Sequence, residues 1–509
     1  MLTLLSCEDY LQVEQPSIYD DNNIYKEPGD FEYAINGCYS QLQNIYNMNW
    51  MEAIVSRCDE ARNYREISRF LDTPLEAKWN TPWKSWWTLV FRCNQVLTRI
   101  ENVTFSGGYT KKQKEELMGE AYAMRGLAYL QFAWCWGGSP LITEELPLKE
   151  VYKIKRSSMD DTYRQAISDF EKAFELLPDF TENSSGNIEI DESKLGRVTK
   201  YAAAGMLGRT YMYMRDYENA AKWLKIVIDR EGKPYMMEEN FKDCFSDANK
   251  NSGETVWAVQ YMGGKTGKAL GMSQKFSGWF IPSGLGAKNK KDFEIMGVNF
   301  SGASGSIRAS WSFAKQEYCG FETGDKRIEN TVVSGLYLDK TSPILDYYYV
   351  IKFLNCTKEV PSASDEFGNN IHILRYTDVK LMYAEALCKL DWENNKGTIV
   401  DILNEVRVRA GLEMKQSNEF TSEEQIFDYI VKDRFIEFAF EGIRWPDLIR
   451  WGMAEEAMEK HFEITDEGYN INTNVPLYRM KPHYKLAPIP FADIVTYNDP
   501  SIMWQNEGY

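Results

Sequence analysis

Arg434, Glu437, Glu441, Arg444, Asp447 and Arg450 crowd carboxylates and arginines into one short stretch, the raw material of an acid/base site. A glycosidase needs its two carboxylates on separate elements, facing each other across the sugar about 5 to 9 Å apart. Glu437 and Glu441 are instead spaced i,i+4 on a segment patterned as one helix, with arginines in reach. That spacing predicts an ion-pair network. Gly284-x-Gly286 and Gly302-x-x-Gly305 lack the strand–glycine–helix context and the GK[ST] of a phosphate loop, so they read as loop glycines. The Asp/Asn runs at Asp20–Asn23 and Asp365–Asn370 could hold a structural calcium but lack EF-hand spacing, and no other cofactor is implied. His372, His461 and His483 are far apart in the sequence, which disfavours a histidine metal centre. No CxxC occurs, and Cys38, Cys93, Cys135 and Cys388 fall on helix-patterned segments as buried thiols.

Aromatic residues make up 14% of the chain, with 15 Trp and 31 Tyr, and they offer a different chemistry. Rings bury the C–H faces of a sugar, while Asp, Asn and Arg take its hydroxyls. Trp86, Trp87, Trp134, Tyr211, Trp223 and Trp445 sit on periodic helical segments and read as core or seam. Trp50, Trp79, Trp83, Trp279, Phe280, Trp311, Phe313 and Tyr347 lie in aperiodic segments. Trp79, Trp83, Trp279, Trp311 and Tyr347 are taken from them as ligand contacts, filling of the loop interior being the alternative. The formal charge of −17, from 58 basic and 75 acidic residues, and the lack of a basic stripe exclude nucleic acid as a partner. No apolar run reaches the length of a membrane-spanning helix.

The elements that must position these residues are mostly helical. Glu120–Pro140 carries two apolar rows and stops at Gly137-Gly138 with Pro140 beyond, the pattern of a helix buried on both sides. Its Tyr122, Gly126 and Tyr129, followed by Ala166, Phe170 and Ala173 in 159–177, match the two helices of a tetratricopeptide repeat. Ala204, Leu207, Gly208, Tyr211, Ala220 and Leu224 repeat the pattern. Further helices are expected over 31–46, 84–103, 377–390, 396–410 and 423–451. Asn47 to Pro82 reads as a long structured loop, 231–374 as loop-rich decoration with short β-like runs, and 486–509 as an extended tail. Loops on a rigid scaffold usually carry recognition.

Several stretches resemble the SusD/RagB family of outer-membrane nutrient-binding lipoproteins of Bacteroidetes. These are Cys7 followed by Tyr10-Leu11; Trp86-Trp87 running to Asn94; Met124-Arg125-Gly126 running to Trp136-Gly137-Gly138-Ser139-Pro140-Leu141; and Arg375-Tyr376-Thr377-Asp378 through Ala386. Asn404-Glu405-Val406-Arg407 through Leu412, Arg434 through Leu448, and Leu486-Ala487-Pro488-Ile489-Pro490 complete the series in the family's order. The resemblance implies a mainly α fold of about four tetratricopeptide-like helix pairs with an irregular C-terminal region packed on them. The expected division is 1–30 as lipoprotein N-terminus and leader, 31–230 as the helical region, and 231–509 as the C-terminal region. It implies a non-catalytic protein that captures oligosaccharides or polysaccharides and delivers them to a SusC-like TonB-dependent transporter. Polar ligand contacts are then expected at Asp59, Arg62, Asn63 and Arg65. Leu4-Leu5-Ser6-Cys7 has the form of a lipoprotein box, although a basic and an apolar signal region are nearly missing before it. Lipidation at Cys7, with the acidic Glu8-Asp9 resembling a surface-export signal, would anchor the protein on the extracellular face of the outer membrane. Peptide capture, an all-α glycan-active enzyme and a pure protein-interaction scaffold are the alternatives.

Overall fold

The computed structural model describes residues 24–47, 49–62, 66–106, 108–179, 181–182, 188–189, 194–281, 307–334, 348–358, 361–467 and 480–509. In chain order the first helices are α1 (Pro28–Asn47), α2 (Asn49–Ser56), α3 (Ala77–Ile100), α4 (Lys111–Trp136), α5 (Leu148–Val151), α6 (Met159–Leu176), α7 (Lys200–Tyr213) and α8 (Tyr217–Ile228). The C-terminal half adds α9 (Gly264–Ala269), α10 (Trp311–Ala314), α11 (Gln316–Cys319), α12 (Lys326–Thr331), α13 (Tyr376–Arg409), α14 (Glu423–Glu437), α15 (Arg444–Trp451), α16 (Ala454–Glu467) and α17 (Phe491–Tyr497). Strands are short: β1 (Ala61–Arg62), β2 (Thr181–Glu182), β3 (Ile188–Glu189), β4 (Thr255–Val259), β5 (Arg308–Ala309), β6 (Val332–Ser334), β7 (Tyr348–Val350) and β8 (Ile371–Arg375).

The chain is mainly helical, with helices stacked in pairs. α1 packs on α3, α4 on α6 and α7 on α8, and α8 passes the stack on to α13. The small residues read from the repeat pattern explain the close approach. A Cβ on Gly126 would stand 3.1 Å from the Phe170 ring, and one on Gly208 would stand 2.5 Å from Leu224. α4 begins with a capping box, Thr110 Oγ1 accepting from the Gln113 N–H while Gln113 accepts from Thr110, which satisfies orphan donors at both positions. It ends at Gly137, whose φ of 74° is the left-handed cap a glycine adopts without Cβ strain. One apolar core runs from Phe31 to Met503 through both halves of the chain.

Three expected boundaries differ. α3 starts at Ala77, with Pro82 inside it, because Trp79, Trp83, Trp86, Val90, Cys93, Leu97 and Ile100 follow at 4- and 3-residue steps and form one buried face. That face outweighs the donor lost at proline. The 423–451 helix breaks after Glu437 because Phe440 and Gly442 both take positive φ (65° and 79°). The Gly442 turn lies against Ile54, which a Cβ would meet at 2.4 Å. The two helices expected over 377–410 form one run bent at Asp391 (φ −165°, ψ 82°), whose carboxylate accepts the Asn394 N–H at 3.1 Å and recaps the second part. The tail is extended except for α17.

Candidate ligand face

The segments expected to carry recognition meet at a four-stranded antiparallel sheet of order β1-β5-β7-β6. Ala61 pairs Ala309 and Arg62 pairs Arg308; Ala309 pairs Tyr348; Val332 pairs Val350. The register sets Arg62 beside Arg308 on one face, and Tyr348, paired with Ala309, one strand away on the other. Trp279 is tied to the same sheet, its carbonyl accepting the Ile307 N–H at 3.3 Å just before β5. Trp311 opens α10 just beyond β5. Ser310 caps that helix, accepting from the Phe313 N–H at 3.2 Å and donating its hydroxyl proton to the Asp59 carbonyl. Ser310 N–H also donates to the Glu60 carbonyl at 2.9 Å.

Arg62, Trp279, Arg308, Trp311 and Tyr348 are all half-buried. Trp279 meets Phe276 edge to face at 6.1 Å. The Lys315 ammonium lies 4.0 Å from the Trp311 ring centroid, and the Arg308 guanidinium 5.8 Å from Tyr349. The arrangement supplies ring surfaces and charged donors together, the combination that recognises hydroxylated rings.

The other residues expected to contact ligand are placed differently. Asp59 is buried and accepts from Arg444 Nε at 2.8 Å and Nη2 at 2.7 Å. This bidentate pair ties the start of β1 to α15 rather than offering a carboxylate to solvent. Trp79 and Trp83 are each 1% exposed and pack against Trp136 at 6.1 and 5.3 Å. Neither ring presents a face at the sheet, because both belong to the interior side of α3. Trp50, Phe280 and Phe313 are buried as well. Asn63, Arg65, Tyr347 and Cys7, like the Asp20–Asn23 run, lie outside the described residues.

The Asp365–Asn370 oxygens considered for calcium are engaged within the protein. Asp365 pairs Lys268 at 2.7 Å, Glu366 accepts from Ser362, Asn369 Oδ1 accepts from Gln274 at 2.9 Å, and Asn370 Oδ1 accepts from the Tyr261 N–H at 3.1 Å. Among the described residues no group of three or more His, Cys, Asp or Glu could hold a metal ion. The eight described cysteines are buried and free, and no described helix is long and apolar enough to cross a membrane.

The arginine–carboxylate cluster forms the expected ion-pair network, extended by residues far away in sequence. Arg375 binds Glu254 at 2.7 Å, Glu437 at 3.1 Å and Glu441 at 2.8 Å. Arg409 reaches Glu437 at 2.5 Å, and Arg434 joins Asp378 to Asp447, each at 2.8 Å. Burial alone would raise Glu437, but Arg409, Arg375 and Arg327 hold it below the usual carboxylate range. A carboxylate pinned ionised in this way is a poor proton donor. Helix periodicity could not reveal Arg375, Arg409 and Glu254 as partners.

One pair escaped the sequence reading. Ser312 Oγ lies 2.9 Å from His461 Nδ1 at a 330 Å3 cleft also lined by Asp59, Lys432, Arg444 and Lys460. Burial lowers the His461 imidazole to about 4, and the neighbouring charges of Asp59 and Arg62 oppose each other there. A histidine so reluctant to take a proton is a weak general base near neutral pH. Asp59, the carboxylate that could orient it, is turned onto Arg444.

Two family models match the chain. One, the SusD family, covers residues 309–509. The other, described as starch-binding associating with outer membrane, covers residues 10–212. The chain is 22% identical to SusD-like protein P25 of Formosa agariphila over 97% of its own length and 94% of that protein. Its fold matches a laminarin-binding SusD-like protein with a TM-score of 0.73 at 21% identity, covering 95% of this chain and 100% of that one. It also matches surface glycan-binding protein A from Bacteroides fluxus with a TM-score of 0.74 at 21% identity, covering 95% and 100%. With both halves matched in order and the paired-helix scaffold shared throughout, the chain belongs to the SusD/RagB family.

Proposed function

We propose that this protein captures oligosaccharides or polysaccharides at the cell surface without transforming them and hands them to a SusC-like TonB-dependent transporter, held at the outer membrane by a lipid on Cys7. The observation that carries this reading is the sheet that draws half-buried Arg62, Arg308 and Tyr348 together from distant segments, with Trp279 and Trp311 at its margin. Half-buried rings beside charged donors suit sugar hydroxyls and C–H faces together. The laminarin-binding and surface glycan-binding relatives support a glycan as ligand, and the family description supports association with the outer membrane. Affinity electrophoresis and calorimetry against a polysaccharide panel test the reading. Wild type should bind at least one polysaccharide, and Trp311→Ala or Trp279→Ala should weaken that binding. If wild type bound none, or both variants bound as wild type does, the reading would fail.

Ser312 and His461 give the enzymatic alternative its one specific observation. Reducing-sugar release from the bound polysaccharide, abolished by Ser312→Ala, would favour it. Our reading requires that no such release occurs.

A further inference from the structure

A second cleft, of about 300 Å3, lies away from the sheet between α3, the 141–152 segment and α17. None of its lining residues belongs to the ligand face described above. Trp87 and Phe91 enter from α3, Leu148 and Tyr152 from α5 and its end, and Asp493 and Tyr497 from successive turns of α17. The rings are ordered among themselves. Tyr152 meets Tyr497 edge to face at 5.1 Å and 86°, and Trp87 lies 4.8 Å from Phe132. The rim is open and apolar, with Phe91 51% and Leu148 65% exposed.

Two polar groups line this apolar cleft, Trp83 Nε1–H and the Asp493 carboxyl. The indole N–H of Trp83, on a residue 1% exposed, is buried without an acceptor in hydrogen-bonding geometry. It lies near the half-buried Asp493 carboxyl, which burial raises against smaller opposing contributions from the Trp83 indole N–H and the Lys84 charge. No basic side chain forms an ion pair with Asp493 among the described residues. A buried donor left without a well-formed acceptor is costly, and such a group beside a half-buried carboxyl in an aromatic cleft marks a binding site.

We infer that this cleft is a saccharide subsite, taking one or two neutral sugar rings of the glycan whose capture is proposed above, on which reading it rests. The pairing of donor with acceptor selects the ligand. A hydroxyl both accepts from Trp83 Nε1–H and donates to Asp493, so one sugar satisfies both. An ammonium or guanidinium group has no lone pair to accept from the indole. An anionic ligand meets Asp493 and Glu144. Aromatic walls cover the C–H faces of the ring. A second contact point on the same glycan chain would raise affinity for long chains by effective concentration without altering the first site.

Asp493→Asn and Tyr497→Ala test the subsite, and Trp311→Ala reports on the other face. Asp493→Asn is isosteric, so it keeps the test valid if Tyr497→Ala fails to fold, and circular dichroism and melting temperature check both. The readouts are calorimetry with short neutral oligosaccharides and affinity electrophoresis with the parent polysaccharide. The expected result is two oligosaccharide sites in wild type and one in Asp493→Asn, with retardation by polysaccharide weakened about tenfold. If wild type binds the polysaccharide but shows one oligosaccharide site, unchanged in Asp493→Asn, the subsite is overturned while the proposed function stands. If wild type binds no saccharide of the panel, both fall.

Discussion

Trp50, Trp86, Trp134 and Trp136 form a nest in which Trp50 meets Trp86 edge to face at 5.5 Å, Trp134 at 5.7 Å and Trp136 nearly stacked at 5.8 Å. Trp79 and Trp83 close it through Trp136. Trp279 and Trp311, by contrast, stand half-buried at either end of β5, Trp311 with the Lys315 ammonium over its ring. The arginines divide in the same way. Arg375 is enclosed by Glu254, Glu437 and Glu441, whereas Arg62 lies half-open on β1. Residue type alone did not separate the two groups. In the nest, rings and charges are spent on holding helices together. At the sheet, the same residue types are only half-buried, and on the proposed function their open surface meets the glycan.

The sharpest way to break this comparison is to remove the same residue type from each region. Arg375→Met should cost about 3–5 kcal/mol, because it leaves three buried carboxylates without their shared cation. Arg62→Met should cost about 0–1 kcal/mol. Denaturant unfolding of both variants reads the difference, and equal losses would refute the distinction. Trp136→Ala should cost about 3–5 kcal/mol through the cavity left in the nest, whereas Trp311→Ala should stay within about 1 kcal/mol of wild type in melting experiments.

The next contrast exchanges stability for binding. Trp311→Ala should lose about tenfold in affinity for a polysaccharide that wild type binds, the loss of one ring contact of about 1.4 kcal/mol. In a Trp86→Ala protein that still folds, calorimetry should find the affinity nearly unchanged.

The smallest effect is electrostatic and depends on pH. Glu60 is fully buried next to the Asp59–Arg444 pair, and burial raises its carboxyl to about 8. Between the ordinary carboxylate value and about 8 the folded state holds a proton that the unfolded chain has released, so stability is lost as pH rises through that window. Glu60→Gln removes the penalty. Its melting temperature should exceed that of wild type at pH 8, and the gap should shrink toward pH 5. A gap independent of pH would mean that Glu60 is already ionised in the fold. His372 and His461, each lowered to about 4 by burial, act in the opposite sense. The unfolded chain takes up their protons first, so stability falls as pH drops from about 6.5 toward 4.

Much of the scaffold was legible in the residues. Gly126 against Phe170 and Gly208 against Leu224 are close approaches that only a residue without a side chain allows, and the repeat spacing announced both. The face of α3 was equally present, as Trp79, Trp83 and Trp86 at helical steps, but Pro82 obscured it. Proline weakens a helix by a few kcal/mol, less than three buried indoles and their neighbours return on packing. The site was legible only as residue types. Trp279 and Trp311 remain candidates because they lie at the sheet, whereas Trp83 moves to the border of a different cleft and Asp59 to a structural pair.

The sequence by itself determined the helices, their pairing and the family, because periodicity, caps and small residues act over a few turns of chain. Only the tertiary structure decided which aromatic and charged residues share a face. Arg62 pairs Arg308, and Asp493 lies near Trp83, across hundreds of residues. Such partners are chosen by register and packing after the chain has folded back on itself, and no local pattern records them.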